Sequence, residues 1–399
     1  MNVCAVPIPP GAAVEDARVR ALEDLGVLHT GPEERFDRIT RLARRVFGVT
    51  SAAVTLIDRD VQHVKSQEGR HLDAVPRHDS FCHHTLGTGR TLVVEDAAGD
   101  ERFAGNPLVL GGPNIRFYAG HPLEAPGGHR VGALCLIDDR PRRFTDEERV
   151  LLEELAGWVQ EEMTRSRELQ QAAEVQRALL PSRWPDLDGY DVAGACMPAR
   201  SVGGDFIDWY CTPDGDLAIT LGDVMGKGLP AAIVMATVRG AMRLAGRGAE
   251  PGDAVREAAA TLYEDLDGTT TMVTLCHARL SPGAAVLRYT DAGHGLMVLV
   301  RADGSVARPQ RGGLPLGVLP DQEWREDRVV LGEGDTVVAF SDGLLDLCGG
   351  SPETALDEVA RAVRDAESSG DVVRRFMALT RTRPVLDDDV AVLVIRRHP

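Results

Sequence analysis

The stretch Ser201–Pro230, SVGGDFIDWYCTPDGDLAITLGDVMGKGLP, places two short acidic turns, Gly203-Gly204-Asp205 and Gly222-Asp223-Val224, around a turn and the apolar run Leu217 to Leu221. An apolar run beside a turn predicts a β-hairpin that carries carboxylates. Asp and Glu supply oxygen ligands for hard cations such as Mg²⁺ or Mn²⁺, and neighbouring glycines let backbone carbonyls and a substrate come close. Gly-Asp pairs are also common turn dipeptides, so the hairpin alone assigns no chemistry. The flanking chain decides.

A chain of 399 residues, 43% hydrophobic and 26% charged, suggests two or three globular domains rather than a disordered or fibrous protein. The formal net charge of -17 opposes sequence-independent binding to nucleic acid or anionic membrane. A protein or small-molecule partner is the expectation. The start, MNVCAVPIPPGAAVED, lacks a basic segment followed by a long apolar core, and no apolar run is long enough to span a bilayer, which predicts a cytoplasmic location. Seven scattered cysteines without a CxxC pair (Cys4, Cys82, Cys135, Cys196, Cys211, Cys276, Cys348) read as reduced thiols.

Upstream of the hairpin, a Pro-rich tail precedes amphipathic helical patterns over Val14 to Leu25 and Glu33 to Phe47. Strands are expected at Ala52 to Ile57 and Val61 to Ser66, joined by Asp58-Arg59-Asp60, and at Leu92 to Val94, Phe117 to Leu123 and Val131 to Ile137. This pattern predicts an α+β module, an antiparallel sheet with helices on one face, ending near Asp138. The segments GVLHTGPEERFDRITRLARRVFGV, KSQEG, SFCHHTL, VVEDAAGDERFAGNPLV, IRFYAGHPL and GALCLIDDRPRRFT resemble GAF domains over roughly Leu22 to Thr145. That resemblance implies a sensor or dimerisation module, its ligand unassigned. His78, Cys82, His83 and His84 do not read as a metal or haem site, because adjacent residues of a strand point to opposite faces and a CHH triplet lacks ligand spacing.

Asp146 to Leu180 predicts one long helix, with Thr145 as N-cap, acids in the first turn and Pro181 as its stop. Its apolar face, Val150, Leu151, Leu155, Trp158, Val159 and Met163, thins to Leu169, Ala173, Gln176 and Leu180. An isolated helix of that kind is marginal in water, so the same helix of a second chain in a parallel coiled coil, or the downstream domain, is expected to cover it; a solvated spacer is the other reading.

From Tyr190 strands come in runs: DVAGACM, DFIDWY, DLAITL, TMVTLCHARL, AAVLRYT and LMVLV. Helices are expected at Pro230 to Ala245, Pro251 to Leu266, Pro352 to Asp365 and Asp371 to Thr382, before a last strand from Val390 to Arg396. Two packed antiparallel sheets flanked by helices follow. Asp342 succeeds the apolar run Thr336 to Phe340, and Asp387-Asp388-Asp389 opens the last strand, so four acidic sites lie where buried strands meet turns. Gathered carboxylates repel one another unless divalent cations neutralise them, and two such cations would activate water for hydrolysis of a phosphate ester.

The segments VQRALLP, PARSVGGDFIDWY, GDVMGKGLPAAIVMA, TMVTL, YTDAGHGLMVL, GGLPLGV, DTVVAFSDGLLD and DDDVAVLVIR, in this order over Gln176 to Arg396, resemble the metal-dependent PPM protein phosphatases of the SpoIIE and RsbU branch. The resemblance implies two divalent cations, Mn²⁺ or Mg²⁺, bridged by Asp223. It also implies the Val224 carbonyl on one cation, Asp342 and Asp388 completing the other, and Asp205 holding the first directly or through water. Gly204, Lys227 and Asp389 are accessory candidates. Met225 stands where eukaryotic relatives have a general-acid His, and no counterpart of their substrate-gripping Arg is identifiable; Arg200 reads as solvated. His294, in a hairpin loop, reads as a turn residue.

The whole then divides into a flexible tail (1–20), a GAF sensor (21–145), a linker helix (146–182) and a phosphatase domain (183–399). The resemblance implies a GAF-regulated phosphoserine/phosphothreonine protein phosphatase, acting on a STAS-type anti-sigma-factor antagonist and paired as a homodimer through GAF domain and linker. A non-catalytic ligand-sensing scaffold, or a phosphatase of another phosphoprotein or small phosphate ester, is the alternative.

Overall fold

A computed structural model describes residues 11–309, 312–383 and 385–398. Cys4 lies outside the described residues, and the other six cysteines are free thiols. No helix among the described residues is long and apolar enough to cross a membrane. The chain forms two compact units, Met1–Gln170 and Gln171–Pro399.

The first unit contains α1(Ala12–Glu23), α2(Glu34–Phe47), β1(Ser51–Ile57), β2(Val61–Gly69), β3(Val75–Pro76), α3(Phe81–Thr88), β4(Leu92–Val94), α4(Pro107–Leu110), β5(Phe117–Ala125) and β6(His129–Asp138), then most of α5(Asp146–Leu179). Its six-stranded antiparallel sheet runs β3-β2-β1-β6-β5-β4. In β1, Ala52, Val54 and Leu56 pack with α2 and α5 through Phe36, Ile39, Leu152 and Leu155. Ala53 and Ile57 face the other way, against Phe81, Leu86 and Phe103. Helices therefore cover both faces rather than one, and β1 is buried along its whole length for that reason.

Two further expectations are corrected here. SFCHHTL is not a strand but the start of α3, whose N-cap Ser80 accepts from His83 N at 3.0 Å. On that helix Cys82 is buried, while His83 hydrogen-bonds Arg77 and His84 packs edge-on against Phe103. The stretch expected to be a flexible tail is helical from Ala12, and the buried guanidinium of Arg18 donates to Asp58 O at 3.1 Å.

Helix α5 begins in a capping box: Glu148 N donates to Thr145 Oγ1 at 3.1 Å and Thr145 N to Glu148 Oε2 at 2.9 Å. Its buried stripe is Leu152, Leu155, Ala156, Val159 and Met163, whereas Val150 and Trp158, expected on that face, are exposed.

The second unit contains β7(Tyr190–Met197), β8(Phe206–Cys211), β9(Leu217–Val224), α6(Leu229–Ala245), α7(Pro251–Gly268), β10(Val273–Ser281), β11(Val286–Ala292), β12(Met297–Val300), β13(Val306–Ala307), β14(Glu326–Val330), β15(Thr336–Phe340), α8(Asp342–Leu347), α9(Pro352–Asp365), α10(Ser369–Thr380) and β16(Val390–Arg397). Two five-stranded antiparallel sheets, β14-β11-β10-β9-β8 and β13-β12-β15-β16-β7, pack face to face through Ile207, Leu217, Ile219 and Leu221 of the first and Ala339 and Leu393 of the second. Helices α6 and α7 cover the outside of the first sheet, and α8 to α10 the outside of the second.

An ion pair anchors α6. Asp208, on the outward face of β8 and 3% exposed, accepts from Arg243 Nη2 at 2.8 Å and meets Arg239 Nη2 at 3.2 Å. Removing a buried charge leaves its partners uncompensated. Asp208→Asn is expected to cost about 2 kcal/mol, less than a fully buried pair because Arg243 is partly solvated, read as a lowered urea midpoint.

Candidate metal centre

Strand periodicity assembles the site. In β8 and β9 the odd-numbered residues Ile207, Leu217, Ile219 and Leu221 face the opposing sheet, as do Val337, Ala339, Ala391 and Leu393 in β15 and β16. Continuing that period of two brings Asp205, Asp223, Ser341 and Asp389 onto the inward face at one end of the sandwich. Asp342 opens α8 beside them, and Asp388 precedes Asp389.

The electrostatics record the convergence. Burial, and then the charges of Asp223, Asp389 and Asp342, push the Asp205 carboxyl well above the ordinary range, the Ser341 hydroxyl offsetting only part. Its Oδ2 is buried without a hydrogen-bond partner. Burial, Asp342 and Asp388 push Asp223 up to about 6, and burial followed by Asp388 raises Asp342. Lys227 Nζ lies 2.8 Å from Asp388 Oδ2 and also donates to the Asp387 carbonyl. The four acids are neighbours without closing on a point: among the described residues, no three of them have ligand atoms all within 4.8 Å of one another.

Asp389 plays a different part from Asp388. It is buried, and its carboxylate accepts from Ala199 N at 2.7 Å and Gly204 N at 2.6 Å, tying the β7–β8 loop to the start of β16. The glycines make this possible. A Cβ at Gly203 would overlap the Asp389 carboxylate, and one at Gly204 would lie 2.6 Å from the Val224 carbonyl oxygen. Ser341, unremarked in the sequence, accepts from Ala391 N at 2.8 Å and so fixes β15 to β16 beside Asp342.

Gln176 is the other residue that sequence reasoning passed over. Its Nε2 donates to Gly203 O at 2.6 Å and its Oε1 accepts from Gly203 N at 3.1 Å, both buried. A polar amide interrupting the stripe Leu169, Ala173, Leu180 was the available signal. His294 is a turn residue: its backbone N donates to Asp291 Oδ1 at 2.8 Å and its Nε2 lies 3.0 Å from Phe340 O. Burial holds its imidazole down to about 4. Met225 is exposed, and Arg200 is exposed near Gly228.

Comparison with known proteins finds two domain families. The SpoIIE model (stage II sporulation protein E) matches residues 213–398 and the GAF domain model residues 31–162. The phosphoserine phosphatase RsbU of Bacillus subtilis is 25% identical over 236 residues, 58% of this chain and 70% of RsbU. A cyclic di-GMP phosphodiesterase of Pseudomonas aeruginosa is 37% identical over 134 residues, 34% of this chain, which spans only 23% of that protein's length. Among solved structures, the RsbU and RsbW domains of a Mycobacterium tuberculosis protein are 27% identical, covering 53% of this chain and 60% of that one, with a TM-score of 0.47. The chain thus joins a GAF domain to a SpoIIE-type domain.

Proposed function

We propose that this protein is a divalent-cation-dependent phosphoserine/phosphothreonine protein phosphatase whose GAF domain and linker helix regulate it. The observation that carries the proposal is the meeting of Asp205, Asp223, Asp342 and Asp388, from four separate segments, at one end of the sandwich. The donor set fits hard cations: burial first, and then neighbouring carboxylates, hold Asp205, Asp223 and Asp342 above the ordinary range, and Asp205 Oδ2 is buried without a hydrogen-bond partner.

In this reading Asp205, Asp223, the Val224 carbonyl, Asp342 and Asp388 would hold two divalent cations. Bound Mg²⁺ or Mn²⁺ supplies Lewis acidity toward phosphate oxygens and acidifies water. The chain's own contribution is positional. Asp389 and the Gly203-Gly204 pair hold the Asp205 turn, Ser341 holds the start of α8, and Lys227 steadies Asp388. Asp388 rather than Asp389 is the ligand of the acidic triplet, because both oxygens of Asp389 are already engaged by backbone amides. Lys227 is a poor proton donor to a leaving alkoxide, since the hydrogen bond to Asp388 raises its pKa.

The substrate we assign is a phosphorylated STAS-type anti-sigma-factor antagonist, on the likeness to RsbU. A homodimer through GAF domain and linker is supported by the exposed apolar residues Leu42, Val46, Val150 and Trp158 on α2 and α5. The test is phosphate release from a phosphoserine STAS protein. EDTA is expected to abolish turnover and Mn²⁺ or Mg²⁺ to restore it; release that persists in EDTA would overturn the proposal.

A further inference from the structure

The first unit holds a second group of ligands, unrelated to the acids of the sandwich. His29, Asp58 and His63 each offer a ligand atom, and the three atoms lie within 4.8 Å of one another. Three separate features build this group. The β1–β2 pairing sets Leu56 opposite His63, so Asp58, two residues beyond Leu56, shares the pleat face of His63. Arg59 N donates to Asp58 Oδ1 at 2.7 Å, which leaves Oδ2 turned to His63 Nε2 at 3.9 Å. His29 arrives from the α1–α2 loop in the left-handed conformation, φ 59°, and packs edge-on against the His63 ring with centroids 4.7 Å apart.

The hairpin end is held from outside. Asp58 N donates to Val61 O at 2.9 Å, and Arg18 Nη2 donates to Asp58 O at 3.1 Å. His29 and His63 also line a cleft of about 300 Å³ with His71 and Asp73, so the group is open on one side.

We propose that His29, Asp58 and His63 form a binding site for a first-row transition-metal dication, zinc foremost. Two imidazoles and one carboxylate suit zinc and its neighbours and not Mg²⁺ or Ca²⁺, which take oxygen ligands. Three protein ligands would leave a further coordination position for water or another donor.

Zinc chloride titrated into the tag-free full chain, with excess Mg²⁺ present, tests this. The wild type is expected to bind one zinc that His29→Asn and His63→Gln each weaken by roughly tenfold or more. Asn is chosen at 29 because it tolerates the left-handed backbone. Asp223→Asn should retain this zinc, which separates the site from the acids of the sandwich. In the wild type, zinc should also shift the ring resonances of His29 and His63, a readout that needs no variant. Zinc binding unchanged in both histidine variants, or rings that zinc leaves unmoved, would overturn the proposal.

Discussion

Asp223→Asn is expected to lose phosphatase activity by about 100-fold or more while making the cation-free protein more stable. The two effects have one origin. Asp223 is held up to about 6 by burial and by the charges of Asp342 and Asp388. Its folded pKa is therefore above the ordinary carboxylate value of about 3.9. Between those two values the folded protein binds more protons than the unfolded chain, so stability falls as pH rises from about 4 to about 6 and stays low above that. Two pKa units correspond to roughly 3 kcal/mol, and about 2 kcal/mol is the better expectation for a carboxyl that keeps some solvent. The amide removes this penalty. In EDTA at pH 7 the variant should melt higher than wild type, with a flatter stability profile between pH 4 and 6. With saturating Mn²⁺ the order should reverse, because the wild type gains the binding free energy and the variant loses much of it. Calorimetry with and without cation, beside phosphate release, reads all of this. A variant that is active, or less stable than wild type in EDTA, would contradict the assignment.

What the sequence disclosed follows from how each element is buried. Strand β1 was legible because both its faces are covered, so AAVTLI is apolar but for Thr55 and buried throughout. Strand β14, Glu326–Val330, was missed because it is a polar sheet edge, with exposed residues at 326, 328 and 330 and no apolar signal. That helices cover both faces of the first sheet was hidden in α3, an eight-residue helix whose histidines and cysteine carry no periodic stripe. For α5 the helix was clear and its buried face was not. Leu152 and Ala156 are buried where Val150 and Trp158 were expected, since only the neighbouring sheet decides which side of a broadly apolar helix turns inward.

At the sandwich end, four acids at four strand ends were readable because strand ends are local features. Separating Asp388 from Asp389 needed one further local step. Ala391, Leu393 and Ile395 are inward, so Asp389 is inward too, buried against backbone amides, and Asp388 is the acid beside Lys227. Ser341 was beyond such reasoning, since a hydroxyl joining β15 to β16 has no signature in its own neighbourhood, and the polar interruption in the stripe of α5 marked Gln176 without disclosing the loop, 27 residues away, that it reaches. The group of His29, Asp58 and His63 is similar, since a loop histidine and a hairpin meet only when the sheet forms.

Gln176 carries the second large effect. The helix that bears it begins at Asp146, within the residues of the GAF match, and Gln176 lies in its last turn, inside the second unit. Its amide satisfies both the N–H and the C=O of Gly203, the residue pressed against Asp389 and two before Asp205. A one-residue slide of an α-helix moves a side chain about 1.5 Å along the axis, and a one-residue rotation turns it by about 100°, and either breaks both bonds. The position of the helix and the position of the Asp205 turn are thus coupled through two hydrogen bonds. Gln176→Leu keeps the bulk and leaves two buried backbone groups unpaired, which costs about 1–3 kcal/mol each at most and releases the turn. Activity is expected to fall about tenfold or more, with the Mn²⁺ concentration for half-maximal activity raised and substrate KM little changed, because the loss is in placing Asp205. Gln176→Glu is the sharper variant. Its carboxylate still accepts from Gly203 N but opposes the Gly203 carbonyl, and it adds negative charge near Asp205, whose carboxyl burial and then the Asp223 charge already push up. Protonation restores the donor, so activity relative to wild type should recover as pH falls from 8 to 6. A glutamate variant as active as wild type at pH 8 would show that the helix does not govern the turn.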